Sequence, residues 1–413
     1  MQANRRTALL GLAATALAAC SGGPAPFRPD AARDPGLRPV PDPGFDAWLA
    51  GFRERAVAQG IAPGTVTRAL RGAGYLPGVI ERDRNQTEFT RSLEDYLAIA
   101  ASDARIATGR AMLRRHGPLL AEIERRHGVE PHVVTAIWGL ESRYGERRGD
   151  IPVISALATL AHDGRRGAFF ETQLLAALRI LENGDTTPER MLGSWAGAMG
   201  HTQFIPTSYE AYAVDFDGDG RRDIWAEDPA DALASAAAYL ARFGWRRGRP
   251  WGVEVRLPAG FDRAQAGRGR TRAVADWTAQ GVLDMDGRAV PDHGAAAILL
   301  PAGPSGPAFM TFSNFGVIAR YNNAESYVIG VGHLSDRLAG GPPIRGRFPP
   351  DANGLTLADR KALQQGLTDA GFDTGEVDGV IGPDTREAIT AYQRRAGLPV
   401  TGTPSRQLLA RLR

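Results

Sequence analysis

The chain has 413 residues, 43% hydrophobic and 23% charged, with a formal net charge of +3 and a pI near 9.2. This composition excludes a disordered or fibrous chain, and the length suits two or three globular domains. The positive balance comes almost wholly from arginine, Lys361 being the only lysine; the arginines are dispersed among acids and form no basic stripe of the kind a phosphate backbone requires, so no nucleic-acid partner is expected.

The N-terminus, MQANRRTALLGLAATALAA, places Arg5 and Arg6 before an apolar run of about a dozen residues, the layout of an export signal. A spanning helix needs about 20 residues, so the run is too short to cross a bilayer. Cys20 is the only cysteine, which excludes an intramolecular disulfide and a Cys-rich zinc site. Leu17-Ala18-Ala19-Cys20 resembles the bacterial lipobox. That resemblance implies a signal peptide over residues 1–20, a lipid anchor to the membrane at Cys20 and, with Ser21 behind it, sorting to the outer membrane. Residues 21–44 are dense in Pro and Gly, which predicts an extended tether.

From Phe45 apolar residues recur at three- and four-residue spacing, as in Leu174, Leu175, Leu178 and Leu181, so the middle region is expected to be mainly α. Runs of β-like composition near Val253–Leu257, Ala295–Leu300 and Phe309–Phe312 predict a small β element among the helices. A second Pro/Gly segment, residues 341–353, separates this 45–340 domain from residues 354–413. The latter are few enough for a small three-helix module, with Thr356 and Asp359 as a variant capping box and Pro383 opening a helix.

Within the helical region, AIWGLESRYG places one acid, Glu141, among Ile137, Trp138 and Leu140. Pro131 is expected to open this helix and Gly145 to stop it. On the helical wheel Glu141 lies in the arc of Ala136, Ile137 and Leu140 and points inward. Desolvation raises a carboxyl pKa, and a proton held near neutral pH makes a general acid. The alternative is a buried acid neutralised by Arg143, Arg147 or a loop arginine; this helix alone leaves both readings open.

The next block, GSWAGAMGHTQFIPTSYEAY, packs Gly193, Gly197 and Gly200 around small residues, then Gln203, Pro206 and Tyr209. Glycines let backbone approach a ligand closely, and amides and aromatic rings suit sugar hydroxyls and sugar faces. Trp195 and Tyr209 are explained by core packing alone. The seven histidines are scattered, and each is expected at the surface or at a cap.

Together WGLESRYG, SWAGAMGHTQFIPTSY and ARYNNAESY resemble the membrane-bound lytic transglycosylase B family, in the family's order, over about Phe45 to Leu338. The stretch DGVIGPDTREAITAYQRRAGLPVTG resembles a peptidoglycan-binding domain. The first resemblance implies a lysozyme-like helical core that cleaves between N-acetylmuramic acid and N-acetylglucosamine, with Glu141 as sole acid/base and a 1,6-anhydro product. It also implies that Ser194, Gln203, Tyr239, Tyr321, Asn322 and Tyr327 line the cleft, with Arg165 and Arg166 as a basic pair near the subsites. His201-Thr202 stands where family members vary, which implies a shift in subsite preference. No cofactor is expected for catalysis. The implied partners are peptidoglycan glycan strands, the membrane and proteins of wall synthesis, at the periplasmic face of a Gram-negative outer membrane. The competing readings are a hydrolytic muramidase, which would need a second carboxylate opposite Glu141, and a non-catalytic wall-binding scaffold.

Asp215, Asp217, Asp219, Gly220 and Asp223 reproduce the first nine positions of an EF-hand loop, with the carbonyl of Arg221 at position seven. Position twelve falls on Ala226, so the loop lacks its bidentate acid unless Asp228 or Asp231 reaches back. The resemblance implies that Asp231 reaches back to complete a structural Ca2+ site; the alternative is an Asx-rich turn without metal.

Overall fold

The computed structural model describes residues 34–85 and 91–413, so Cys20, the export segment and the first part of the tether lie outside the described residues. Among the described residues no helix is long and apolar enough to cross a membrane.

The chain is mainly α, and proline opens many of its helices. Pro43–Ala58, Pro63–Leu70, Pro77–Arg84, Pro131–Ser142, Pro206–Tyr212 and Pro383–Arg395 all carry Pro in the first turn, where its missing N–H is no loss and its fixed φ suits the helix. The tether reading fails at its end. Asp42 caps Pro43–Ala58 by accepting from Phe45 N at 2.7 Å, Val40 bridges Tyr75, and Arg82 reaches Asp34 at 2.6 Å. Residues 34–42 therefore lie against the domain, because these polar contacts and a close Gly36–Gly78 approach outweigh their Pro/Gly content.

Helix Pro131–Ser142 runs through the middle of the core, with Val133 to Ser142 all buried. Packed around it are Asp103–Arg115, Gly117–His127, Ala230–Arg242 and Glu325–Leu338. The alanine-rich face of Ala230–Arg242 permits close packing of the helix backbones. A hairpin of helices, Val153–Asp163 and Gly167–Glu182, completes the floor.

Among the described residues two sheets are inserted. Strands β1 (Ile151–Pro152) and β2 (Leu192–Gly193) form a short antiparallel pair not foreseen from composition, because two residues carry no periodicity. Strands β3 (Gly252–Arg256), β4 (Leu283–Asp284), β5 (Ala297–Leu299) and β6 (Ala308–Thr311) form an antiparallel sheet in the order β4-β3-β6-β5. Alternation divides its residues between two cores. Leu299 and Phe309 join the helical core, while Ile298 and Met310 pack with Val255, Trp277 and Val282 in a second cluster.

The last segment folds as three helices, Leu357–Asp369, Pro383–Arg395 and Arg406–Leu412, around Leu363, Leu367, Ile389 and Leu408. Thr356 and Asp359 form both halves of a capping box. Arg360 is 2% exposed. Its guanidinium donates to Gly379 O at 2.7 Å and, across the domain boundary, to Glu94 Oε2 at 2.9 Å and Asp95 Oδ1 at 2.6 Å. One buried cation thereby ties the module to helix Leu93–Ala100.

Candidate active site

Glu141 sits near the end of the central helix and is 5% exposed. Burial pushes its carboxyl up to about 8, opposed only in part by the hydroxyl of Tyr327, which donates to Oε1 at 2.6 Å. With burial the leading influence and the carboxyl raised, Glu141 behaves as a desolvated acid and not as the carboxylate of a strong ion pair. A carboxyl with this pKa carries its proton at neutral pH.

The helix ends earlier than its sequence suggests. It stops at Ser142, because Arg143 and Tyr144 both adopt left-handed backbone, with φ of 50° and 59°. Arg143 N donates to Gly139 O and Tyr144 N to Trp138 O, closing the last carbonyls. Two non-glycine residues in this region are strained. The tyrosine ring compensates: it lies over Gly139, where a Cβ would come within 2.7 Å of it, and its hydroxyl donates to Arg105 O at 2.8 Å. Glu141 is thus held on the last turn of a helix whose exit is locked.

Helix Glu325–Leu338 brings in Tyr327 from the facing wall. The neighbouring Tyr321 donates to Thr202 O at 2.6 Å. Burial first, and then the nearby charge of Glu141, raise both tyrosines well above the ordinary phenol value. Tyr239 stands 5.0 Å from Tyr321, ring to ring, and donates to Arg320 O at 2.5 Å. Asn322 is buried, its Oδ1 accepting from Ala324 N at 2.9 Å.

Ser194 and Gln203 belong to a loop built on β2, with bridges from Met199 to Gly193 and Phe204. Ser194 Oγ accepts from Ala198 N at 3.0 Å, and Gln203, at φ 53°, donates from Nε2 to Gly200 O at 2.8 Å and Arg148 O at 3.0 Å. The glycines of this loop serve its own folding more than approach by a ligand. A Cβ on Gly193 would sit 2.2 Å from Ala198 O, and one on Gly200 2.3 Å from Ile224 O.

His201, expected at the surface, is buried and joins three parts of the site. Its Nδ1 accepts from Trp138 Nε1 at 3.1 Å, its Nε2 lies 2.8 Å from Ala226 O, and its carbonyl accepts from Ser142 Oγ at 2.6 Å. The reading of the histidines missed this. The available signal was Trp138, whose indole N–H in an apolar helix needs a buried acceptor. His201 holds the loop against the central helix.

Arg165 and Arg166 converge on Asp83. Arg165 Nε donates to Asp83 Oδ2 at 2.6 Å, and Arg166 donates to Asp83 Oδ1. Asp83 is a buried acid, and the pair is first of all its counter-charge.

In the Asp-rich loop, oxygens of Asp215, Asp217 and Asp219 lie within 4.8 Å of one another. Asp215 accepts from Gly218 N and Gly220 N, and Asp219 from Arg221 N at 2.8 Å, so the donors are turned inward by their own backbone. These three fit a hard cation. Asp223 is paired with Arg190 at 2.7 Å. Asp231 stands beside this loop, and its two oxygens accept from Phe216 N and Asp223 N, each at 2.8 Å. It staples the two ends of the loop together.

A protonated carboxyl buried in a helical core and roofed by tyrosines defines a lysozyme-like protein. The chain belongs to the transglycosylase SLT domain family, whose profile matches residues 44–336, and residues 356–412 match the peptidoglycan binding domain family. It is 33% identical over 220 residues to membrane-bound lytic murein transglycosylase B of Escherichia coli (strain K12), a match covering 52% of this chain and 58% of that protein, so little more than half of that relative is spanned. Among solved structures it resembles SltB3 of Pseudomonas aeruginosa in complex with NAG-anhNAM-pentapeptide, at 47% identity and a TM-score of 0.73, covering 90% of this chain and 100% of that one. It also resembles the Escherichia coli lytic transglycosylase Slt35 in complex with calcium, at 27% identity and a TM-score of 0.61, covering 72% of this chain and 93% of that one.

Proposed function

We propose that this protein is a peptidoglycan lytic transglycosylase that cleaves the β-1,4 bond between N-acetylmuramic acid and N-acetylglucosamine and leaves 1,6-anhydro ends. The observation that supports this reading is the buried Glu141, its carboxyl pushed up to about 8 by burial, with the Tyr327 hydroxyl on its Oε1. Glu141 delivers its proton to the glycosidic oxygen as the bond breaks. The positive anomeric carbon is met by the acetamide of the muramoyl sugar, and the resulting carboxylate then takes the proton of that sugar's C6 hydroxyl, which closes the anhydro ring. No water enters the balance, so no second carboxylate is required. Tyr327 steadies the carboxylate in the middle of this sequence, when charge is on Glu141.

Ser194, Gln203, Tyr239, Tyr321 and Asn322 form the cleft walls in this reading, and the module at residues 356–412 keeps the enzyme beside glycan strands, raising local concentration. The loop at Asp215, Asp217, Asp219 and the Arg221 carbonyl would hold a structural calcium ion, with no part in the chemistry. A lipid anchor at Cys20 on the periplasmic side of the outer membrane agrees with the lipobox and with the membrane-bound name of the Escherichia coli relative. Contacts with wall-synthesis proteins belong to the same reading.

The test is the mass spectrum of digested wall. Anhydro ends are lighter than hydrolysed ends by one water, and Glu141→Gln should yield neither. Hydrolysed ends from the wild type would make it a muramidase, and unchanged turnover in Glu141→Gln would remove the acid from the chemistry.

A further inference from the structure

The His201 ring is clamped between two groups of fixed polarity. The indole of Trp138 can only donate, and its Nε1 stands 3.1 Å from His201 Nδ1; the carbonyl of Ala226 can only accept, and it stands 2.8 Å from Nε2. One form of the ring satisfies both, the neutral imidazole with its hydrogen on Nε2. The ring is also packed against the exit of the central helix: Gly145, at φ 91°, passes so near that a Cβ there would come within 2.6 Å of it.

Protonation would place a second hydrogen on Nδ1, facing the Trp138 N–H. Two donors would then meet, and the ring would lose its bond to the central helix. Trp138 lies one turn before Glu141 on that helix, and Ser142, the residue after Glu141, donates to the His201 carbonyl at 2.6 Å, so His201 holds residues on both sides of the acid. Three charged or titratable groups face the ring. Arg148 Nη1 stands 3.4 Å from Nε2 and is itself fixed on Trp225 O, Ala226 O and the carboxylate of Glu227; His116 packs edge-on against Trp138, ring centroids 5.6 Å apart. Burial first, then Arg148 and His116, hold His201 below the ordinary 6.5, against the pull of the Ala226 carbonyl and of Glu227. Glu141 supplies no acid limb of its own, because lower pH only keeps on it the proton that bond breaking needs.

We propose that His201 is a positioning residue: its neutral ring, with the hydrogen on Nε2, holds Trp138 and through it the turn that bears Glu141, and its protonation releases Trp138 and sets the acid limb of activity. The inference rests on the reading of Glu141 above and adds to it a second ionisation, one that touches neither the sugar nor the reacting atoms.

Two measurements on the full chain test it. Turnover of purified wall is followed from about pH 4 to pH 8 as the sum of all glycan ends released, anhydro or hydrolysed, and the indole N–H signals of 15N-tryptophan protein are titrated over the same range, Trp138 being assigned with Trp138→Phe. In the wild type the acid limb and the Trp138 signal should share one midpoint, below 6.5. His201→Leu should lower kcat about tenfold with KM within about twofold. His201→Gln, whose amide offers an acceptor and a donor but does not titrate, should recover most of that loss, and the limb should be missing from both variants. An acid limb unchanged in His201→Gln, or a Trp138 signal indifferent to pH across the limb, would overturn the proposal; the indole titration needs only the wild type and decides the matter even where a variant does not fold. Ends that are all hydrolysed would refute the anhydro reading, while the shared midpoint would still assign the limb to His201.

Discussion

The hydroxyl of Tyr327 donates to Oε1 of Glu141 across 2.6 Å, between residues 186 positions apart in the chain. This contact works against burial: it favours the ionised carboxylate, whereas the apolar surroundings favour the acid. The balance keeps the proton on Glu141 at neutral pH but still lets it leave.

Removing the bond should therefore shift the pH dependence upward. In Tyr327→Phe the carboxyl loses the contact that lowers its pKa, so the alkaline limb of the pH–rate profile, set near 8 in the wild type, moves up by about one pH unit or more. The turnover number falls as well, because the carboxylate formed in mid-reaction has lost a donor. A profile recorded from pH 5 to 10 checks both effects.

The same acid makes folding sensitive to alkali. Its pKa in the folded chain lies above the ordinary 4.5, so the folded state holds the proton more tightly than the unfolded state. Its stabilising share is complete below 4.5, falls as pH rises, and is gone above about 8, at up to about 1.4 kcal/mol per pH unit. Glu141→Gln removes this dependence. Its melting temperature relative to the wild type should rise between pH 5 and pH 8 and level off above that, measured by scanning calorimetry.

Asp83 is held by both Arg165 and Arg166. Asp83→Ala leaves two guanidinium groups without their counter-charge, one of them only 16% exposed. A loss on the order of 3 kcal/mol is expected in urea unfolding, with kcat on short glycans within about twofold of the wild type. A larger catalytic than structural effect would mean that the arginines act on substrate.

The module should come loose when its buried tie is cut from the catalytic side. Glu94→Gln with Asp95→Asn spares the bonds that Arg360 makes inside its own module to Gly379 and Leu355. The docked arrangement should weaken by about 2 kcal/mol, seen as faster protease cleavage between residues 341 and 355.

Calcium gives the last expectation. Titration calorimetry should show binding to the wild type with a rise in melting temperature, and Asp217→Asn should reduce both. Absence of binding would leave the loop as an Asx-rich turn closed by Asp231.

Much of the helical architecture was legible from proline starts and apolar spacing, and β3, β5 and β6 from β-like composition. The β1–β2 pair escaped because two residues carry no pattern. The end of the central helix was placed at Gly145 because glycine is the usual stop; the real stop, at Arg143 and Tyr144, depends on a tyrosine ring lying over Gly139 and reaching Arg105. The role of His201 escaped because its partners, Trp138 and Ser142 on the central helix and Ala226 in a later loop, are distant from it in the chain.

What the sequence determined by itself is local: a helix with a single inward carboxyl, a Gly-rich loop, an Asp-rich loop, a capping box, and the order in which they follow. These depend on torsions and periodicity within a turn or two of chain, and neighbouring residues record them. Only the tertiary structure decided that Tyr327 reaches Glu141, that Asp83 engages Arg165 and Arg166, and that Asp231 staples the two ends of the Asp-rich loop. Those outcomes follow from which distant surfaces pack together and which charges that packing strips of water, and no single stretch of chain contains that information.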